Sequence, residues 1–216
     1  MEDLLEIKNL NIQARTRAGV LNVVNDLSFS IKKGETLGVV GESGCGKSVT
    51  ALSVMNLLPE GVLSVSSGDI IFDDVTITKL PENKLENIRG NEISMIFQEP
   101  MTSLNPLFTV GDQVSEVIKR HKGLNKDKSW AKAVELLDAV KIANPEKRAF
   151  DYPFQLSGGQ RQRVMIAVAL ACQPKILIAD EPTTALDVTI QAEILALINM
   201  LKEETGTAVM FITHDM

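Results

Sequence analysis

The stretch Gly41-Glu42-Ser43-Gly44-Cys45-Gly46-Lys47-Ser48 follows an apolar run at Thr36–Val40 and opens a helical pattern that extends to about Leu57. Its spacing fits Gly-x-x-x-x-Gly-Lys-Ser/Thr, in which glycines let successive backbone N–H groups turn toward one anion. The N-terminus of the following helix adds a favourable dipole, Lys47 can reach the terminal phosphates, and the Ser48 hydroxyl can hold Mg²⁺. The predicted nucleotide-phosphate contacts are Gly41, Glu42, Ser43, Gly44, Cys45, Gly46, Lys47, Ser48 and Val49.

Outside this stretch, short apolar runs alternate with helical patterns. Three continuous runs predict central parallel strands that are covered on both faces, at Thr36–Val40, 176–179 and Ala208–Thr213. A further strand is predicted at 93–97. Alternating runs with turn-like punctuation predict a smaller antiparallel sheet from 4–11, 27–31 and 69–77.

Helical periodicity is clearest in three segments. Apolar residues recur at helical offsets within 110–118, 133–140 and 190–201, and Gly206 stands where a C-cap is expected. Because the first two segments lie between the phosphate loop and Leu156, the middle of the chain is predicted to be a helical insertion. The predicted fold class is α/β, with a mainly parallel core sheet, an N-terminal antiparallel β-subdomain and a helical insertion subdomain.

The composition of the 216 residues, with 44% hydrophobic and 23% charged, is ordinary for a globular domain. The net charge of −6 argues against nucleic acid as the main partner, since phosphate backbones require clustered Lys and Arg. No run approaches the roughly 18 apolar residues of a membrane span, and no basic-then-apolar leader opens the chain. Cys45 and Cys172 lack metal-like spacing and predict free thiols in a reducing compartment. These features predict a cytoplasmic location.

The apolar run 176–179 ends in two carboxylates, Asp180 and Glu181. At the C-terminal edge of a parallel sheet, ligands gather beside the strand ends. Asp180 is predicted to bind Mg²⁺ directly or through water, and Glu181 is predicted to polarise the water that attacks the γ-phosphate. Acidic residues commonly end strands, but together with the loop at 41–48 this pair predicts nucleotide hydrolysis.

The segment Leu156-Ser157-Gly158-Gly159-Gln160-Arg161-Gln162-Arg163 resembles the signature of ABC-type ATPases. Other motifs follow in that family's order: Gln98 resembles the Q-loop glutamine, Ala185-Leu186-Asp187 the D-loop, and His214 the switch histidine. The resemblance covers the whole chain.

The resemblance implies one ABC ATPase domain over 1–216. Its P-loop NTPase core, with the antiparallel β-subdomain, is expected at 1–99 and 166–216, and its helical subdomain with the signature at 100–165. The chain ends at His214-Asp215-Met216 directly after a predicted parallel strand, which would leave a sheet edge or core face uncovered, so the chain is expected to be truncated at its C-terminus.

The resemblance also implies roles for individual residues, with ATP and Mg²⁺ as cofactors. Glu181 and His214 are the implied catalytic residues; Ser48, Gln98 and Asp180 are the implied metal ligands, with Gln98 also near the nucleotide. The signature contributes Ser157, Gly158, Gly159 and Gln160, which open another helix N-terminus. In the family this end closes on the γ-phosphate of ATP held by a second ABC subunit, which implies a homo- or heterodimer.

The segment Gln98-Glu99-Pro100-Met101-Thr102-Ser103-Leu104-Asn105-Pro106-Leu107-Phe108-Thr109-Val110-Gly111 resembles the ABC subgroup that powers bacterial oligopeptide, dipeptide and nickel uptake. In such importers this region receives the coupling helix of a membrane subunit. The resemblance implies an ATPase subunit peripheral to the inner face of the cell membrane. Its implied partners are integral permease subunits and a solute-binding protein, and its implied solute is a peptide or a related small solute such as nickel.

Two other interpretations stay open. A soluble ABC ATPase of DNA repair, chromosome organisation or translation carries the same motifs. However, the segment 47–157 is short for the insertion of the DNA-directed type, and the translation type places two domains in one chain. A non-hydrolysing regulatory fragment is the third interpretation.

One departure from the family concerns the adenine base. ABC domains commonly stack the base on an early aromatic residue, and the corresponding place here is near Ala14, within 12–17, where no aromatic residue is present. Arg15 or Arg17 could stack on the base instead.

Overall fold

The computed structural model describes residues 3–17, 19–98, 103–184 and 186–214. Its strands, in chain order, are β1 (Asp3–Thr16), β2 (Gly19–Lys32), β3 (Thr36–Val40), β4 (Leu63–Phe72), β5 (Val75–Thr76), β6 (Ile93–Ile96), β7 (Ile176–Asp180) and β8 (Ala208–Thr213). Its helices are α1 (Lys47–Val54), α2 (Glu82–Ile88), α3 (Val110–Lys122), α4 (Lys126–Ala139), α5 (Pro145–Arg148), α6 (Gly158–Leu170) and α7 (Val188–Thr205). Within the predicted motifs, residues 99–102, Ala185, Asp215 and Met216 lie outside the described residues.

Four parallel strands form the core sheet in the order β3-β8-β7-β6. β7 is buried along its whole length and most of β8 is buried, as their continuous apolar runs predict. The prediction for β3 is wrong, because this strand lies at the edge of the sheet and its residues alternate between exposed and half-buried. An apolar run indicates a strand but does not specify its number of neighbours, and the edge position leaves Val40 49% exposed.

The second sheet is antiparallel, with the order β2-β1-β4-β5. It confirms the small antiparallel sheet predicted near the N-terminus, although β1 and β2 span 14 residues each and extend well beyond the predicted runs. The extra length forms the end of the β1–β2 hairpin, where Ala14 pairs with Leu21 and Thr16 with Gly19. Buried side chains of this sheet join those of α1 and the core sheet in one apolar cluster.

The helices α3, α4, α6 and α7 contribute to a second apolar cluster. Each of them begins at a side-chain cap: Thr109 accepts a hydrogen bond from the Asp112 amide, Asn125 from the Lys128 amide, Ser157 from the Gln160 amide, and Asp187 from the Ile190 amide. Gly206, with φ of 68°, ends α7 as predicted, because glycine adopts a left-handed backbone without steric cost. The short helices α2 and α5 are too brief to show a period in the sequence.

A cluster of charges joins the two sheets. The Nζ atom of Lys175, just before β7, lies 2.6 Å from Oδ2 of Asp73 in the β4–β5 turn. The same Nζ atom lies 2.8 Å from Oε2 of Glu92, just before β6. The hydrogen bond from Lys175 lowers the pKa of Asp73, and the same contacts raise the pKa of Lys175. In the part of the chain that the structure describes, no helix has the length and apolar character needed to cross a membrane.

Candidate nucleotide site

The loop between β3 and α1 turns at two glycines. Gly44 has φ of 82° and Gly46 has φ of 94°, a left-handed backbone that costs a residue with a Cβ about 1–2 kcal/mol. Gly46 is constrained a second time, because a Cβ there would lie 2.9 Å from the Val23 carbonyl oxygen. Strand β2 therefore contacts the loop closely enough that only glycine fits at position 46.

Lys47, the first residue of α1, is only 8% exposed. Its Nζ donates to the carbonyl oxygens of Gly41 at 2.6 Å and Glu42 at 2.8 Å, both in the same loop. The Thr50 hydroxyl donates to the Gly46 carbonyl oxygen at 2.9 Å, which fixes the loop to the first turn of the helix. The carbonyl oxygens of the loop thus hold the Lys47 ammonium group in place.

Ser48 connects the loop to the end of β7. Its hydroxyl donates to Asp180 Oδ1 at 3.1 Å, across 132 residues of sequence. Asp180 is 4% exposed, and burial raises the pKa of its carboxyl group, although the hydrogen bond from Ser48 and the charge of Lys47 act in the opposite direction. The structure therefore brings together the two residues that the sequence predicts as a Mg²⁺ pair.

Glu181 lies at the centre of a hydrogen-bonded group. Its Oε2 accepts from Gln98 Nε2 at 2.8 Å and from the Thr184 hydroxyl at 3.0 Å, while its Oε1 lies 3.1 Å from His214 Nδ1. Burial pushes the pKa of Glu181 upward, but the hydrogen bonds from His214 and Thr184 and the charge of Lys47 outweigh burial, so the pKa is lowered. The carboxylate is thereby held in its ionised form.

The backbone of Glu181 is unusual. Its φ of 46° lies in the left-handed region, which is uncommon for a residue other than glycine. The Glu181 amide donates to the Ile212 carbonyl oxygen at 3.0 Å, and the Thr184 amide donates to the Glu181 carbonyl oxygen at 3.1 Å. These bonds hold the turn that follows β7.

Two cavities of about 160 Å³ lie on either side of Glu181. The first is lined by the loop together with Val23, Gln98 and Glu181. The second is lined by the turn after Glu181, by Gln191 and by the end of β8 with His214. The predicted residues Lys47, Ser48, Gln98, Glu181 and His214 are thus brought to one region of the surface.

The signature residues lie at the N-terminus of α6, and none of them lines either cavity. The Ser157 hydroxyl accepts from the Gln160 amide at 3.3 Å, and the Gln160 side chain accepts from the Ser157 amide at 3.0 Å, forming a capping box. Ser157 and Gly158 are exposed. Aligned peptide dipoles give such a helix end a partial positive charge of about half an elementary charge.

The two signature glycines approach the beginning of α7. A Cβ at Gly159 would lie 3.0 Å from Ile190 Cγ2, so a larger residue there requires Ile190 to shift. A Cβ at Gly158 would lie 3.8 Å from Leu186 Cδ2, an ordinary contact. The close approach at Gly159 joins the signature to the segment that follows Glu181.

The protein-family model described as ABC transporter matches residues 24–184 of this chain. The chain belongs to the ABC transporter family. The ABC chain is 52% identical over 216 residues to the oligopeptide transport ATP-binding protein OppD of Haemophilus influenzae, covering 100% of this chain and 66% of that protein. It is 49% identical over 216 residues to the dipeptide transport ATP-binding protein DppD of Bacillus subtilis, covering 100% of this chain and 64% of that protein. The ABC chain thus spans slightly less than two thirds of the length of these curated relatives.

Solved ABC structures share the fold. The ATP-binding cassette MJ0796, in a dimeric post-hydrolysis state bound to ADP and Pi, superimposes with a TM-score of 0.86 and is 31% identical, with 98% of this chain and 88% of that chain covered. The predicted fold class and the resemblance to the peptide-importer subgroup of ABC proteins are therefore confirmed. The subdomain boundaries at 99/100 and 165/166 remain a prediction.

The ABC residues around the loop fit a nucleotide with Mg²⁺. The Ser48 hydroxyl and the Asp180 carboxylate are the oxygen donors that Mg²⁺ prefers. Mg²⁺ is usually bound by one or two protein ligands together with waters and substrate phosphates, which is the kind of site that Ser48 and Asp180 would supply. Gln98 lines the same cavity, but its amide nitrogen faces Glu181, and its role as a metal ligand remains a prediction.

The sequence interpretation of this ABC chain missed Thr184 and Val23. A signal existed for Thr184, because proline at the second position of Glu181-Pro182-Thr183-Thr184 favours a β-turn that returns Thr184 to Glu181. No local signal marks Val23, which reaches the cavity through the pairing of β2. Near the predicted adenine position, Ala14 is half-buried in β1 and Arg15 and Arg17 are exposed.

Proposed function

We propose that this chain is the ATP-binding and ATP-hydrolysing subunit of an importer that carries peptides, or a related small solute such as nickel, through a membrane permease. The observation that carries the proposal is the pair of hydrogen bonds Ser48–Asp180 and Gln98–Glu181, which gather the loop, the end of β7 and the end of β6 around one cavity. The names of relatives about half identical to this chain, which are oligopeptide and dipeptide transport proteins, support peptides as the solute.

In this proposal each residue has a stated task at the phosphate end of the nucleotide. The loop amides and Lys47 bind the phosphates, and Ser48 with Asp180 would hold Mg²⁺, which would neutralise charge on the phosphate oxygens. Glu181, ionised by its neighbours, accepts a proton from the attacking water. His214, held against Glu181, contacts the γ-phosphate and orients the carboxylate.

The proposed enzyme is a dimer because the signature lines neither of the two cavities beside Glu181. The N-terminus of α6 presents Ser157 and Gly158 to solvent, with Gly159 half-buried behind them, where a second subunit can bring its nucleotide. The solved relative MJ0796 is dimeric in a post-hydrolysis state bound to ADP and Pi, which supports a dimer here. Two nucleotides are then held head to tail between two ABC subunits.

An exposed apolar surface supports a permease as the membrane partner. Large apolar side chains are exposed in two segments that flank α3–α5, at Leu107, Phe108, Phe150, Tyr152 and Phe154. Leu107 is 80% exposed, and Phe154 is 68% exposed and stacks on Tyr152. Contiguous exposed apolar residues mark interaction sites. The coupling helix of a permease is the proposed occupant, which places the subunit on the inner face of the membrane together with a solute-binding protein upstream.

The soluble ABC interpretation receives less support. Relatives spanning the whole of this chain carry names of oligopeptide and dipeptide transport proteins, and net charge argues against nucleic acid.

The test is reconstitution of the full-length protein with candidate permease subunits in vesicles. ATP hydrolysis that is stimulated by a peptide-loaded binding protein supports the proposal, and the matched control replaces Phe154 with Ser to remove apolar surface without touching the cavities. The importer role is contradicted if the rate of ATP hydrolysis is the same with and without the permease and the protein is not retained by the permease in a pull-down.

A further inference from the structure

The turn that follows Glu181 is held by two glutamine side chains from neighbouring helices. Gln162 of α6 donates from Nε2 to the Pro182 carbonyl oxygen at 2.5 Å, and Gln162 is only 1% exposed. Gln191 of α7 donates from Nε2 to the carbonyl oxygens of Thr183 at 3.2 Å and Leu186 at 3.1 Å. The two glutamines therefore clamp the backbone between the carboxylate and the start of α7.

Backbone amides of this turn also bond to its carbonyl oxygens. The Glu181 carbonyl oxygen accepts from the Thr184 amide at 3.1 Å, and the Thr183 carbonyl oxygen accepts from the Leu186 amide at 3.2 Å. Each carbonyl oxygen from Glu181 to Thr183 thus has a hydrogen-bond donor. The bond from Gln162 is the one among these that comes from the helix bearing the signature.

Burial makes the link between α6 and the turn a firm one. A buried amide that loses its partner is strongly disfavoured, because no water replaces the hydrogen bond. Gly159 of α6 also lies close to Ile190 of α7, the helix that the turn leads into. The N-terminal part of α6 is therefore hydrogen-bonded directly to the backbone carbonyl next to Glu181.

We propose that Gln162 is a positioning residue that couples the signature helix to the Glu181 carboxylate of the same chain. This inference rests on the proposed function, in which the signature contacts the partner's nucleotide and Glu181 acts on the chain's own. Gln162 then connects the two nucleotides of the dimer through one chain. The left-handed backbone of Glu181 makes the carboxylate sensitive to the position of the Pro182 carbonyl, because the turn has few alternative conformations.

The test compares Gln162→Met with the parent in the full-length dimer. Methionine nearly matches the shape of glutamine but cannot donate to the Pro182 carbonyl oxygen. We expect kcat to fall by about 10-fold, the size of losing one buried hydrogen bond, while the nucleotide dissociation constant of the single chain stays within about 2-fold. Gln173→Met is the matched control, since Gln173 is exposed beyond the opposite end of α6, and it should leave both values unchanged.

Hydrogen exchange supplies a readout that does not depend on hydrolysis. The Thr184 and Leu186 amides should exchange faster in Gln162→Met, whereas the Thr50 amide of α1, bonded to the Gly46 carbonyl oxygen at 2.9 Å, should be unaffected. If the parent itself fails to hydrolyse ATP, the proposed function fails, and the exchange measurement still judges the coupling. Unchanged exchange in the turn overturns the role of Gln162.

A second variant separates positioning from simple stabilisation. In Gln162→Glu, the carboxyl group can donate only when protonated, and burial raises the pKa of such a group. We expect its activity relative to the parent to recover as the pH is lowered. The opposite result is a variant that loses thermal stability and still keeps the parent kcat at every pH when it is assayed below its unfolding temperature. That result would show a purely structural role and overturn the inference.

Discussion

Two helix N-termini of this chain differ in how much of their surroundings the chain itself supplies. At α1, Lys47 is 8% exposed, Ser48 is bonded to Asp180, and several segments meet at one cavity. At α6, Ser157 is exposed and its hydroxyl is occupied by the amide of its own helix. The first end is surrounded within one chain, whereas the second faces outward. Substitutions at the N-terminus of α1 should therefore change nucleotide binding in a single chain. Substitutions at the N-terminus of α6 should have an effect only when two chains associate.

The largest effect is expected at Glu181, which joins the two regions. Glu181→Gln removes the proton acceptor but keeps a side chain that can bond to Thr184. We expect kcat to fall by about 10²–10⁴-fold, the usual contribution of a general base, while ATP with Mg²⁺ traps a stable dimer. Steady-state hydrolysis and light scattering measure the two effects. A monomeric variant that hydrolyses at the parent rate would contradict the assignment of Glu181.

The next effect tests the outward-facing end. Gly158→Asp places a negative charge where the partner's phosphate is proposed to bind, and we expect kcat to fall by about 100-fold, as for loss of one anion-binding donor. Nucleotide affinity of the single chain and its Tm should persist, because an acidic residue in the first turn suits the helix dipole. Gly158→Ala is the control, since a Cβ there fits at 3.8 Å from Leu186. Equal losses in both variants would point to packing instead.

A smaller effect is expected at the enclosed end. Lys47→Ala removes the ammonium that the Gly41 and Glu42 carbonyl oxygens hold, and nucleotide should bind the single chain about 10- to 100-fold more weakly, as for loss of a hydrogen bond to a charged group. Titration with a fluorescent ATP analogue measures this change. Lys175→Ala, which removes a lysine paired with Asp73, is the control and should retain the parent affinity. A similar loss in both variants would refute a specific role for Lys47.

The smallest effect concerns stability without nucleotide. The pKa of Asp180 is raised in the folded chain, so ionisation disfavours folding as the pH rises through that pKa. Asp180→Asn should therefore raise the Tm at pH 7.5 by a few degrees, at about 2–4 °C per kcal/mol for a domain of this size, and the gain should vanish below the ordinary pKa of 3.8. Calorimetry across pH checks this result.

The pKa of Glu181 is shifted in the opposite direction to that of Asp180, so its substitution should change the Tm in the opposite direction. Its pKa is lowered, so its stabilising contribution is present above the ordinary value of 4.5 and is lost as the pH falls through the lowered pKa. Glu181→Gln should thus reduce the Tm slightly at neutral pH. A lower Tm for Asp180→Asn at pH 7.5 would show that its hydrogen bond with Ser48 outweighs the cost of burying the charge.

The motif positions in the sequence predicted which residues would meet, because fixed spacing around a strand end or a helix start dictates local geometry. Lys47, Ser48 and the two carboxylates at the end of β7 follow directly from that rule. The edge position of β3 could not be predicted, because neighbours in a sheet are chosen by long-range pairing. The left-handed backbone of Glu181 was equally hidden, since it depends on bonds to β8 and not on the residue type.

The support around the site was harder to predict than the site. Gln162 stands within a recognisable motif, yet its burial against Pro182 depends on how α6 packs beside the turn. The hairpin of β1 and β2 extends beyond its apolar runs because backbone pairing holds its exposed end together. Spacing in the sequence therefore reports chemistry well, whereas the residues that hold the chemistry in position appear only after tertiary packing.

The contact between Gly159 and Ile190 carries a consequence for how this protein can vary. At 3.0 Å, a methyl group at position 159 is tolerated only if the side chain at position 190 becomes smaller or moves. The two positions are therefore expected to covary among homologous chains, with glycine at 159 accompanying branched residues at 190 and alanine at 159 accompanying smaller ones. In a library that randomises both positions, the combined side-chain volume of residues 159 and 190 should be about the same in all functional variants.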